Sequence, residues 1–155
     1  MRFFMTILVS LLSLNLHAGE SIMPPLCKAI VVDKAELNLS ANTPALILIY
    51  NHSNAELWLS HPDKAFGASA GWTSQLKSQK WSALALNEKD FVLSCIESKP
   101  GHEQEVPCQG LISVCQWPEQ ESDKSKGTYW AGENMSLPAL KTYLGDRGFK
   151  LPTTK

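Results

Sequence analysis

Residues 67–71 read Gly67-Ala68-Ser69-Ala70-Gly71, the GxSxG spacing with which a serine hydrolase lifts its nucleophile on a sharp strand-to-helix turn. Asp90 and His102 follow in an order that would complete a triad. The context points elsewhere. A polar loop precedes the motif, and the strand-like Trp72-Thr73-Ser74-Gln75-Leu76 follows it where an elbow needs a helix. The βαβ alternation of an α/β-hydrolase is also missing. A loop of small residues is the expectation, and no enzyme; a minor serine hydrolase is the remote alternative.

The other residues suited to chemistry are histidines and carboxylates. His52 and His61 fall at the two ends of one predicted strand, about 30 Å apart if that chain is fully extended. A mononuclear copper site in a β-sandwich gathers Cys, two His and usually Met at one end. Cys115 has no histidine shortly after it, and Cys95 has His102 but no methionine at useful spacing. The histidines therefore read as solvated turn residues, with no metal ligand and no cofactor among them. Glu97, Glu103 and Glu105 flank a Pro-Gly turn and read as a solvated hairpin tip, not as paired acid and base carboxylates.

Four cysteines remain, at 27, 95, 108 and 115, and no pair has the CxxC spacing usual for zinc. Their compartment follows from the first residues. Arg2, an apolar run from Phe3 to Leu16, and His17-Ala18-Gly19 have the build of a signal peptide over 1–18, with cleavage after Ala18. A spanning helix needs about 20 apolar residues, and this run is shorter and interrupted by Thr6, Ser10, Ser13 and Asn15. Cys27 is a poor lipidation site because Pro24-Pro25-Leu26 precede it. Four cysteines in an exported small domain favour two disulfides. Of three possible pairings, Cys95–Cys108 would cross a hairpin loop and Cys27–Cys115 would tie the first strand to a late one.

Removing 18 of 155 residues leaves 137, enough for one domain over 19–155. The loss of Arg2 leaves 13 basic and 15 acidic residues, a net charge of −2. The charges are interspersed, which gives no footprint for nucleic acid or an anionic membrane.

Strand signals dominate the chain. Ala29–Val32, Ala45–Tyr50, Glu56–Ser60, Trp72–Leu76, Lys80–Leu86, Phe91–Ile96, Leu111–Cys115 and Gly127–Ala131 read as short strands between turn residues. Together they predict a mostly β fold, an immunoglobulin-like antiparallel β-sandwich braced by disulfides. At the carboxyl end a helix is predicted over about 137–147. Ser136 caps it, Pro138 lies in its first turn, Gly148 stands just past its end, and Leu137, Leu140 and Leu144 form its stripe.

This frame would position five tryptophans. If Leu57 and Leu59 point inward, alternation sends Trp58 outward. Trp72 lies among Thr73, Ser74 and Gln75. Rigid outward aromatics anchor partners or sugars, so Trp58 and Trp72 are the candidate partner-binding residues, with core burial as the competing reading for Trp58. Trp81, Trp117 and Trp130 are core candidates.

Trp81–Leu86, the run Cys95–Gln104, then Cys108 and Val114-Cys115-Gln116-Trp117, and the tail Gly127–Asn134 leading into Leu137–Gly148 carry a family likeness. The chain resembles the enhanced entry protein EnhB family of Legionella-type bacteria over about two thirds of its length after the signal. The resemblance implies a periplasmic or surface-associated protein linked to host-cell entry, and assigns no catalytic residue. The expectation is a periplasmic or secreted protein that binds an envelope protein partner. A periplasmic small-ligand or metal-handling module is the alternative.

Overall fold

A computed structural model describes residues 23–61, 73–117 and 127–152. The chain runs through β1 (Lys28–Ile30), β2 (Leu37–Leu39), β3 (Ala45–Asn51), β4 (Leu57–Ser60), β5 (Thr73–Leu76) and β6 (Trp81–Leu86). It continues through β7 (Phe91–Glu97), β8 (Gln104–Val106), β9 (Ile112–Trp117) and β10 (Tyr129–Met135) to helix α1 (Leu137–Asp146). Two antiparallel sheets form. The first has the order β1-β9-β3-β6-β10; the second has β2-β7-β4-β5, with β8 paired to the far end of β7.

Side-chain alternation explains the layering. Every residue of β3 and β6 is buried, as expected of strands covered on both faces. Ile47, Ile49, Leu84 and Leu86 turn toward the second sheet and pack with Leu57, Leu59, Phe91 and Leu93. Leu46, Leu48, Trp81 and Trp117 turn the other way and pack under Leu140 and Leu144 of α1. The result is sheet on sheet on helix. Each such leucine or isoleucine, fully buried, contributes about 1.5–3 kcal/mol.

The four central strands have the immunoglobulin-like arrangement. β3 and β6 pair in one sheet, β4 and β7 pair in the other, and the chain crosses between sheets after β3 and after β6. The flanks depart from that order, because β9 lies beside β3. One side of the sandwich is closed by hydrogen bonds between edge strands. β10 carries two register shifts against β6, and such bulges re-aim side chains. Glu133 thereby accepts from the buried Ser74 hydroxyl of β5, and Asn134 Oδ1 accepts from Lys77 N at 3.0 Å.

The helix ends as its sequence predicts. Ser136 accepts from Ala139 N, and Pro138 sits in the first turn. At the other end Gly148 has φ +83°, Phe149 N donates to Leu144 O and Gly148 N to Gly145 O. This is a Schellman motif, in which a left-handed glycine closes the last carbonyls. Among the described residues no helix is long and apolar enough to cross a membrane.

Both disulfides pair as expected. Cys95–Cys108 lies in the core between the sheets, and Cys27–Cys115 joins the segment before β1 to β9. The strands differ from expectation in several places. β2 and β8 are additional three-residue strands, β1 ends at Ile30 rather than Val32, β9 runs on to Trp117 rather than ending at Cys115, and β10 extends to Met135 rather than ending at Ala131. The hairpin tip is exposed at Glu103 and Glu105, as expected, but it includes a strand, since Glu105 pairs with Ile96 and Gln104 with Glu97.

Candidate functional site

Leu57 and Leu59 have no exposed surface, so the alternation of β4 places Trp58 and Ser60 on the outer face of the second sheet. Trp58 is half-buried there. Its neighbours are set by register. Gln75 of β5 stands opposite it on one side and Ile96 of β7 on the other, and Glu105 of β8 stands opposite Ile96. One row across the face therefore reads Gln75, Trp58, Ile96, Glu105. A cavity of about 240 Å³ opens beside this row, lined by Trp58, Thr73, Ile96 and Glu103.

Two features hold the row in place. Cys95, adjacent to Ile96, is bonded to Cys108 beneath the sheet. Gln75 Nε2 donates to Glu56 Oε1 at 2.6 Å across the β4–β5 pair. The Trp58 indole N–H is shielded and meets no acceptor among the described residues. An indole ring beside an apolar isoleucine offers a flat surface for an aliphatic, aromatic or cationic group.

The strands of this sheet also differ from their surroundings in charge. None of β2, β4, β5, β7 and β8 contains a lysine or arginine. Carboxylates stand on or beside them at Glu36, Glu56, Glu97, Glu103 and Glu105. Glu97 pairs with Lys99 at 3.2 Å, and Glu36 accepts from Ser94 Oγ at 3.4 Å.

The remaining sequence candidates separate. Trp72, Ser69 and the whole 67–71 motif lie outside the described residues, as do residues 1–18. The residues that follow the motif form β5, a strand. Asp90 and His102 lie beyond opposite ends of β7, whose seven residues span roughly 20 Å, so they share no site. His61 is not a solvated turn residue. It is half-buried, stacks on Phe91 with centroids 4.1 Å apart, and its Nδ1 lies 2.7 Å from Val92 O. Among the described residues no three His, Cys, Asp or Glu side chains gather as a metal site.

Trp81 and Trp117 are buried as expected, Trp117 donating to Pro25 O, while Trp130 is half-buried against the core between the sheets. Sequence reasoning missed Thr73, Ile96, Glu103 and Glu105 as neighbours of Trp58. The available signal was Ile96 itself, an apolar residue at an outward position after Ser94. A second cleft of about 270 Å³ opens between β1 and β2, at the side of the sandwich away from β5 and β10, and reaches Ile47 and Leu86.

No protein family, curated protein or solved structure was found to match this chain.

Proposed function

We propose that this chain is an exported envelope protein that binds another protein through the outer face of the second sheet, and that it acts without catalysis. The observation that carries the reading is Trp58, fixed outward on a disulfide-backed strand ladder beside a cavity. Aromatic anchors on rigid elements supply much of the energy of protein interfaces. Two disulfides are consistent with an oxidising compartment outside the cytoplasm, and the signal-like residues 1–18 favour the periplasm or release from the cell. The likeness to the EnhB family extends the reading to an accessory of host-cell entry.

Photocrosslinking in intact cells tests it. A benzophenone amino acid replacing Ser94, which faces outward two residues from Ile96, is expected to form an adduct with one envelope protein. The same group replacing Asp146 on α1 is expected to form none. Absence of an adduct from position 94 overturns the reading.

A small-ligand module is the second reading, favoured by the cleft between β1 and β2 with its apolar floor of Ile47 and Leu86. A shift in melting temperature with a small apolar ligand, abolished by Leu86→Phe, would support it.

A further inference from the structure

We infer that the cavity beside Trp58 receives a lysine or arginine side chain from a basic segment of the partner protein. The inference rests on the proposed binding role and names the chemistry of its occupant. The cavity has two chemically different walls. Trp58 and Ile96 are apolar, and suit the methylene stem of a long basic side chain. Glu103 also lines the cavity, and Glu105 stands on the same face across from Ile96.

Among the described residues, no cation is paired with these two carboxylates. Glu97 has Lys99 and Glu56 has Gln75, whereas Glu103 and Glu105 have no ion pair among the described residues. The five strands of the sheet hold no basic residue to serve them. An acidic segment docking here would meet like charge. A wholly apolar segment would strip water from Glu103 and return no hydrogen bond, which is unfavourable. A cation satisfies both walls at once, because the indole face attracts it and the carboxylates accept from it.

The experiment measures binding of capped, fluorescein-labelled hexa-arginine to the exported chain by anisotropy. Hexa-glutamate and a Gly-Ser hexamer serve as controls. The arginine peptide is expected to bind and the controls are not. E103Q/E105Q is expected to weaken binding at least tenfold, and Trp58→Leu at least fivefold. E88Q/D146N removes the same charge far from the cavity, in the β6–β7 turn and on α1, and is expected to stay within threefold of the unmodified chain.

Equal weakening by both glutamine-type pairs would mean bulk charge attraction, and overturns the inference. So does unchanged binding in E103Q/E105Q, an exposed pair whose folding the substitution leaves intact, or equal binding of the Gly-Ser peptide. The position-94 photoadduct separates the two levels. If it persists unchanged in E103Q/E105Q, the binding role stands and the cationic occupant falls; if it is absent from the unmodified chain, the binding role itself falls.

Discussion

Asn51, at the end of β3, has no exposed surface, and its side chain is fully engaged. Its Nδ2 donates to Ala55 O at 2.7 Å and Leu76 O at 2.9 Å, and its Oδ1 accepts from Ser53 N and Ser53 Oγ. One amide thus joins the β3–β4 corner to the end of β5, tying the two sheets together where the chain crosses. Asn51→Asp keeps the acceptor but sets a carboxylate against two carbonyl oxygens. Unsatisfied buried groups cost about 1–3 kcal/mol each, so the variant should lose roughly 3 kcal/mol or more, read as a lower urea midpoint with an unchanged m-value. Trp58 is constrained differently, with its flanking leucines buried and its own ring half-buried. Trp58→Leu should therefore change stability by less than Asn51→Asp, although it removes the larger side chain.

Among the elements, α1 depends on one close approach. A Cβ placed on Gly132 of β10 would lie 2.6 Å from Leu140 Cδ1 and 3.4 Å from Tyr143 Cδ1. Leu140 is fully buried and has little room to move. Gly132→Ala should cost about 1–3 kcal/mol through overpacking, and thermal unfolding by circular dichroism would show it as a lower Tm. The helix itself was legible from its sequence, because Ser136, Pro138, Gly148 and the leucine stripe all act within a few residues of one another. β3 and β7 were legible for a similar reason, each a long apolar or alternating run between turn residues. β2 and β8 were not. Each has three residues and exists because β7 offers it a partner, and pairing across the sheet leaves no local pattern. The candidate site divides in the same way. The outward turn of Trp58 follows from its own neighbours Leu57 and Leu59, whereas Ile96 and Glu103 reach it only through the register of β7 against β4 and β8.

For the whole molecule, the two bridges are nested. Cys95–Cys108 spans 13 residues and lies inside the 88-residue span of Cys27–Cys115. Restricting the unfolded chain should contribute ~3 kcal/mol for the inner loop and ~4.6 kcal/mol for the outer one in the chain-entropy account. Cys27→Ala/Cys115→Ala should accordingly lower the denaturant midpoint more than Cys95→Ala/Cys108→Ala, and the opposite ranking would show that packing around the inner bridge dominates. The outer bridge also decides how the molecule bears load. A pull applied between the two ends passes from Cys27 directly to Cys115, so the chain between them carries no tension. Strands β2 to β8, with the face that displays Trp58, hang off the load path. Of the described elements, only β10, α1 and the last residues of β9 would unravel, and about 300 Å of chain, at 3.3–3.6 Å per residue, would stay coiled until the bridge was reduced. A protein held by its ends in the envelope could be stretched at its tail while its binding face kept its shape.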